Sequence, residues 1–457
     1  MSYQSLYIKK YILLLGDVIT LYLSLYLTLL GRYGYLDMGR SWSQHLWPFT
    51  ALFLLWLIIW YISNLYDLTL AVNNFKFYSR TTKALFFSFL LGAAFFYLMP
   101  QLGIAPKRNL LIDIVITAVL FLSWRQLYNL ILKSYLPKNN IAIIGLNQQV
   151  KELIKYFNDH PHLGFNIAFI FYDEDVYEEG LYNIPLLKNT AQIKERLIKE
   201  GVSTVVLVDD MRKADELRSH LFNCLHLGID FINLPHFYEK ISGKVPLESL
   251  SQTWFLENLH EGGKLWFDKL KRLIDVILAA LVFIISLPFW LPVALMISWE
   301  SYGPIFYKQQ RVGKNNKLIY LKKFRTMAEE GNTRRPTVPN DPRITRFGRL
   351  LRKTRLDELP QVLNIIKGEM SIIGPRPERP EIARQLQTEI PFYNERTLLL
   401  PGVTGWDQVC GEYHSPSKED TLKKLQYDLY YIKNRSLFLD LLILLKTIRT
   451  VLIRKGV

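Results

Sequence analysis

Residues Ile274 to Trp299 read IDVILAALVFIISLPFWLPVALMISW, a run long and apolar enough to cross a bilayer but bordered by cations at both ends. Lys264, Lys269, Lys271 and Arg272 precede it, and Lys308, Arg311 and Lys314 follow it. Basic residues collect on the cytoplasmic flank of a membrane segment, so a run with cations on both flanks is expected to enter and leave on one face. Pro288 and Pro292 supply the means. Neither has an amide hydrogen to donate, so together they interrupt the helical ladder and permit a sharp bend. The expectation is a re-entrant membrane helix over about residues 267–300, with the chain on either side of it in the cytoplasm.

Four more apolar runs lie upstream, from Tyr11 to Leu30, Leu46 to Ser63, Ala84 to Met99 and Leu110 to Leu132. Lys9 and Lys10 precede the first, Lys76, Arg80 and Lys83 separate the second from the third, and Lys133 and Lys138 follow the fourth. That distribution puts both ends of a four-helix membrane unit in the cytoplasm. No small-residue cleavage site follows the first run, so it reads as an anchor rather than a removed leader. Asp17 and Asp113 fall within the spans and are expected to face other helices. The last apolar stretch, Leu437 to Ile453, carries Asp440, Lys446 and Arg449 and reads as an interfacial or core helix.

Between these regions, from Asn140 to about Val245, short apolar strands (IAIIG, FNIAFIFYD, STVVLVDD, IDFINLP) alternate with polar helical stretches. This is the pattern of a small parallel α/β sheet. Its first turn, IIGLNQQV, holds only Gly145, whereas a dinucleotide site needs further glycines for a backbone to approach a pyrophosphate. The turn favours a structural or regulatory role over cofactor binding. The fold class expected is thus integral membrane α plus α/β. Residues 1–135 form four transmembrane helices, 136–245 a Rossmann-like cytoplasmic domain, 246–263 a linker, and 264–457 a mainly helical domain with the re-entrant helix.

With 457 residues the chain is too long for one ordinary core. Its net charge of +15 would suggest nucleic acid in a soluble protein, but the apolar runs redirect it to an anionic membrane surface or phosphate-bearing substrates. Cys224 and Cys410 provide neither a disulfide framework nor a thiolate zinc site, and the eight histidines form no HExxH pair.

The chemistry concentrates between Lys322 and Glu378, in KKFRTM, DPRITRFGRLLRKTRLDELPQ and GEMSIIGPRPE. Arginines recur at 343, 346, 349, 352 and 355. A helical step of three falls about 60° short of a full turn, so only a subset can point at one substrate. Asp357 and Glu358 stand among them. LDELPQVLNIIKG reads as a helix with Asp357 near its N-cap, Pro360 in the first turn and Gly368 as the stop. Adjacent helical residues diverge by about 100°, so the two carboxylates are expected to take distinct roles, one a nucleophile kept ionised by cations and the other holding a metal or orienting a group.

These residues resemble a family. QQRVG, KFRTM, DPRITRFGRLLRKT, LDELPQ, GEMSIIGPRPE, PGVTGW and YDLYYIKN occur in order from about Lys264 to Val457 and are similar to the bacterial sugar transferases that act as polyprenyl-phosphate hexose-1-phosphate transferases. The whole layout resembles the long form of that family. The resemblance implies transfer of a hexose-1-phosphate from a UDP-sugar, glucose or galactose, to undecaprenyl phosphate, with UMP released. It implies Asp357 as the nucleophile, with Glu358 beside it, and Lys323, Arg352 and Arg376 as the residues that handle phosphate. Mg²⁺ is the implied cofactor, with Asp357 as a ligand. The implied setting is the bacterial inner membrane with the catalytic domain on its cytoplasmic face, in a homodimer that binds no nucleic acid. Asp407 and Cys410 depart from the family's Ala and Asn, and the bend carries Ser286-Leu287-Pro288 in place of Ser-Pro. A membrane-bound nucleotide-sugar dehydratase or epimerase shares the layout, but it needs a Tyr followed four residues later by Lys, and no Tyr here has that spacing. A non-enzymatic membrane scaffold would account for the charge but not for the ordered motifs.

Overall fold

The computed structural model describes residues 2–63, 65–66, 75–99, 107–135, 139–159, 164–172, 184–208, 215–246, 252–259, 264–328, 341–410 and 417–452. They divide into two compact units, 1–237 and 238–457. Among the described residues five helices are long and apolar enough to cross a membrane, four in the first unit and one in the second.

The first unit opens with α1 (Ser2–Tyr33), α2 (Met38–Ile62), α3 (Phe75–Leu98) and α4 (Lys107–Tyr135). All four apolar runs read from the sequence fall on these helices, and Lys138 lies outside the described residues. Their shared core is aromatic, with Phe49, Trp56, Trp60 and Phe121 sealed from solvent. Asp17 and Asp113 do face other helices. Asp17 pairs with Arg125 of α4 at 2.6 Å, and Ser24 of α1 donates to Asp113 at 2.8 Å. A buried charge in hydrocarbon requires such partners.

The rest of this unit is a parallel sheet. Strands β1 (Asn139–Ile144), β2 (Phe165–Phe171), β3 (Leu186–Leu187), β4 (Thr204–Leu207) and β5 (Asp230–Asn233) lie in the order β3-β2-β1-β4-β5. Helices α5 (Gln148–Asp159), α6 (Ile193–Lys199) and α7 (Asp215–Phe222) connect them, and α8 (Leu234–Ser242) follows β5 across the division between the units. Central β1 is buried along Ile141–Ile144, as a strand covered on both faces must be. The two-residue β3 was too short to leave a periodic signal. At the first turn Gly145 adopts φ 105°, and Asn147 accepts a hydrogen bond from the Val150 amide at 3.0 Å. The amide end of α5 is thus capped by the chain's own side chain.

In the second unit, α9 (Gln252–Asn258) falls within the segment read as a linker, and α10 (Leu265–Glu300) carries the long apolar run. Pro288 and Pro292 lie inside α10, which continues as one helix past both. Most of its apolar side chains, among them Ile277, Leu281, Ile284, Phe289 and Leu295, are exposed, the condition of a surface that meets lipid. The side chains that are not exposed pack on the rest of the unit. Ala279 and Phe283 meet Ile319, Leu321 and Ile365, and Trp290 and Ile297 meet Phe324 and Leu351.

Strands β6 (Phe306–Val312) and β7 (Leu318–Phe324) form an antiparallel hairpin. Next come α11 (Arg346–Thr354), a 3₁₀ turn (Leu356–Gln361) and α12 (Val362–Lys367), then β8 (Ser371–Ile373) and α13 (Pro380–Glu389). Strand β9 (Gly402–Thr404) pairs in parallel with β8, and α14 (Trp406–Cys410), α15 (Lys418–Asn434) and α16 (Leu437–Leu452) close the unit. Gly402 and Gly374 let these two strands meet: a Cβ on Gly402 would lie 2.1 Å from the Gly374 amide nitrogen. The final apolar stretch is a core helix at Ile443 and Leu439, and its Asp440 pairs with Lys271 of α10 at 2.8 Å.

Candidate active site

The carboxylate pair sits on the 3₁₀ turn, not at a helix N-cap as read from the sequence. Arg355 ends α11 in the left-handed region, at φ 56° and ψ 17°, and occupies the N-cap position of the next turn. Asp357 is the second residue of that turn, and the Arg355 side chain at the N-cap position makes no capping hydrogen bond. Pro360 follows within it, and regular α-helix begins only at Val362. A non-glycine residue at positive φ is uncommon and collects at functional sites. Here it breaks the arginine register, so Arg346, Arg349 and Arg352 belong to one helix and Arg355 to none. Gly368 stops α12 as expected, at φ 86°. Arg272 of α10 donates to the carbonyls of Ile365 and Ile366 just before it, at 2.7 and 3.0 Å.

Strand β7 aims Lys323 at the pair. Its Nζ donates to Glu358 Oε1 at 2.6 Å, and Arg376 Nη2 approaches the same oxygen at 3.7 Å. Lys323, Glu358 and Arg376 line one cleft together with Arg311 and Gln361, and Asp357 is absent from its lining. Arg352 points elsewhere for its hydrogen bond, with Nε donating to Thr326 Oγ1 at 2.8 Å. Its charge still acts on Asp357.

The two carboxyls are set apart electrostatically. Burial pushes Asp357 above the ordinary aspartate value, and the Glu358 charge adds to this while Lys323 and Arg352 pull against it. Glu358 also bears a burial cost, but Lys323 and then Arg376 overcome it and hold its carboxyl below the ordinary glutamate value. Two of the three cations expected to handle phosphate, Lys323 and Arg376, therefore contact Glu358. Of the five residues singled out from sequence, Lys323, Glu358 and Arg376 meet directly, and Asp357 and Arg352 stand beside them.

Two residues were missed as site candidates. Arg311 lay within QQRVG, but its motif alone did not assign it a place; it donates to the Pro377 carbonyl at 3.1 Å. Thr326, in KFRTM, receives Arg352. The two departures fall on α14. Asp407 feels the charges of Lys424, Arg396 and Arg376, and Cys410 Sγ lies 3.0 Å from Lys446 Nζ.

Sequence comparison decides the lineage. A family model described as bacterial sugar transferase matches residues 266–454, which include every residue of this site. The exopolysaccharide production protein PSS of Rhizobium leguminosarum bv. phaseoli is 39% identical over 40% of this chain and 96% of its own length. The chain belongs to the bacterial sugar transferase family. Longer relatives extend the match upstream. The UDP-N-acetylgalactosamine-undecaprenyl-phosphate N-acetylgalactosaminephosphotransferase of Aeromonas hydrophila is 37% identical over 59% of this chain and 64% of its own length, just under two thirds. The UDP-glucose:undecaprenyl-phosphate glucose-1-phosphate transferase of Xanthomonas campestris pv. campestris is 32% identical over 69% of this chain and 67% of its own. A second family model, described as a CoA-binding domain, matches residues 61–235.

Proposed function

We propose that this sugar transferase moves a hexose-1-phosphate from a UDP-hexose to undecaprenyl phosphate, giving the undecaprenyl diphosphate-sugar and UMP. The observation that carries the proposal is the cleft in which Lys323 and Arg376 converge on Glu358 next to a buried Asp357. In this reading a carboxylate oxygen of Asp357 attacks the phosphorus bonded to the sugar, and UMP leaves with the electrons of the broken P–O bond. An oxygen of the lipid phosphate then attacks the same phosphorus and frees the carboxylate. Splitting the transfer makes each half easier, and Lys323, Arg352 and Arg376 stabilise charge gathering on the phosphoryl oxygens.

Mg²⁺ fits this donor set through the substrate. Among the described residues no three His, Cys, Asp or Glu side chains cluster to hold a metal, and Lys323 and Arg376 already engage Glu358. Asp357 is then the carboxylate available, and Mg²⁺ commonly binds through one or two carboxylates with phosphates completing its shell. When bound it supplies charge neutralisation at the transferring phosphoryl group.

The setting we propose is the bacterial inner membrane, with α1–α4 as a four-helix transmembrane unit and the second unit on the cytoplasmic face. Contacts of α1 with α2 and α4, and of α3 with the same two helices, support closure of that bundle. The second unit would then be anchored by a re-entrant α10. Arg272 and Asp275 near its start and Glu300 at its end all engage elements of the same unit, which supports entry and exit on one face. Asp275 accepts from Ser371 Oγ at 2.7 Å, and Glu300 accepts from the Phe347 amide at the start of α11 at 2.9 Å. The homodimer remains part of the proposal, as does a place in exopolysaccharide, capsule or O-antigen assembly. The test is to incubate the detergent-purified protein with Mg²⁺, undecaprenyl phosphate and UDP-glucose, UDP-galactose or UDP-N-acetylgalactosamine. Lipid-dependent UMP release with one of them is expected, and none with any would overturn the reading.

A further inference from the structure

The turn that presents Arg376 has an unusual construction. Pro375 and Pro377 flank the arginine, so two of its amides have no hydrogen to donate, and the backbone is held by its carbonyls instead. Four consecutive carbonyls each accept from a different group. Pro375 O takes the Gly402 amide at 3.0 Å, Arg376 O takes Arg396 Nη2 at 3.0 Å, Pro377 O takes Arg311 Nη1 at 3.1 Å, and Glu378 O takes the Val312 amide at 3.0 Å. Two of these donors are backbone amides. The other two are arginine side chains in different situations. Arg311 lines the cleft and can meet a substrate itself, whereas Arg396 is absent from the cleft and lines a second hollow that shares Arg376 and Pro377 with it.

Arg396 is built in. It is 8% exposed, forms an ion pair with Asp428 at 2.7 Å, and donates to the Tyr393 hydroxyl at 2.6 Å. Asp428, on α15, is 2% exposed. Burying a guanidinium is costly unless its charge and donors are met, and this one has a carboxylate, a phenol and the Arg376 carbonyl. By contrast the Arg376 side chain is 46% exposed, and among the described residues its ion-pair contact is the long 3.7 Å approach to Glu358. A half-exposed cation on a fixed backbone is thereby presented to the cleft.

We propose that Arg396, anchored by Asp428, is a positioning residue that sets the affinity of the cleft for a nucleoside diphosphate by fixing the backbone of Arg376. This rests on the transferase reading, in which Arg376 meets the diphosphate of the sugar nucleotide. Arg396 touches no substrate, so its effect passes through Arg376 and depends on it.

A double-mutant cycle tests that dependence. Binding of UDP to the full-length protein in nanodiscs is measured by calorimetry for the wild type, Arg396→Lys, Arg376→Ala and the double variant, alongside kcat/KM for UMP release. Arg396→Lys keeps the charge opposite Asp428 but loses the planar fork. It is expected to weaken UDP binding about ten-fold in the wild-type background and less than about two-fold once Arg376 is alanine, the non-additivity of groups that act as one. An equal loss in both backgrounds would mean a general structural role, and no loss in the wild type would mean no role. Either overturns the proposal. Should Arg396→Lys not fold, Asp428→Asn is read through the same cycle. Failure of both to fold would assign the pair to stability and likewise overturn the positioning role. A wild type that binds UDP but releases no UMP from any sugar nucleotide would sink the transferase reading while leaving the cycle legible.

Discussion

Lys323 and Glu358 meet at 2.6 Å between strand β7 and the 3₁₀ turn, both largely buried, and among the described residues no cation forms an ion pair with the neighbouring Asp357. The pair divides labour. Glu358 absorbs the positive charge of Lys323 and Arg376, and Asp357 keeps a carboxyl whose electrons are not tied into a salt bridge. In the proposed reaction Asp357 is the nucleophile, and its carboxyl is the one of the two not held in a salt bridge.

Asp357→Asn is accordingly expected to lower turnover by at least about a thousand-fold with the fold intact, since the amide matches the carboxylate in shape but is a poor nucleophile. Intact-mass measurement of the wild type mixed with UDP-sugar, without lipid acceptor, should show the added mass of a hexose phosphate. Near wild-type turnover by the Asn variant would move the nucleophile elsewhere.

The pH–rate profile should carry the signature of the same arrangement. In the proposed reaction Asp357 attacks as a carboxylate, and its folded value is raised, so activity should grow as pH rises through a value above that of an ordinary aspartate. Glu358→Gln removes a charge that raises Asp357, so in that variant's residual activity the acidic limb should move to lower pH. Lys323→Met removes a charge that lowers it, and the limb should move to higher pH. Shifts in one common direction would contradict the electrostatics described for the pair.

How α10 meets the membrane can be read by labelling. In a cysteine-free background, single cysteines at Arg40, Arg272 and Lys308 are challenged with an impermeant maleimide from outside the cell. Reaction at position 40 alone is expected. External reaction at 308 would mean that α10 crosses completely and that the second unit faces outward.

Gly402→Ala is a test of the backbone crossing under the site. The added Cβ would meet the Gly374 amide nitrogen at 2.1 Å and its carbonyl oxygen at 2.6 Å, and neither backbone atom can rotate away. Overpacking of this kind costs about 1–3 kcal/mol or more, so the thermal midpoint should fall by several degrees. A variant as stable as the wild type would mean that β8 and β9 separate readily.

Much of this architecture was legible because its signals are long. An apolar run of helix length and the alternation of short strands with helices each repeat a single constraint over many residues, so the five long helices and the strands β1, β2, β4 and β5 could be read directly. What escaped depended on distant partners. The placement of Asp357 in a 3₁₀ turn follows from Arg355 taking a left-handed conformation that its own sequence does not demand. Arg311 and Arg396 are invisible as parts of the site until β6 and the segment Tyr393–Leu398 are brought to the same turn. The motifs named the cations, but only the fold shows which carboxylate they touch.

The second unit should work alone if it is cut in the right place. The relative from Rhizobium leguminosarum aligns over 96% of its own length while covering only 40% of this chain, so a family member exists with little more than this region. A cut near Glu261, where the apolar motifs begin, would remove Glu239, which pairs with Lys433 at 2.7 Å, and Val245, which is fully buried against Leu425 and Leu429. Gly243 would go as well, and its carbonyl accepts from the Trp406 indole at 2.9 Å. Leaving Lys433 and that indole without partners costs about 1–3 kcal/mol for each unmet group, in addition to the cavity left by Val245. Residues 238–457 in detergent or nanodiscs are therefore expected to release UMP in a lipid-dependent way, and residues 261–457 to be markedly less stable. If the longer fragment folds, inserts and stays inactive, the helices and sheet of the first unit must act in the chemical step itself.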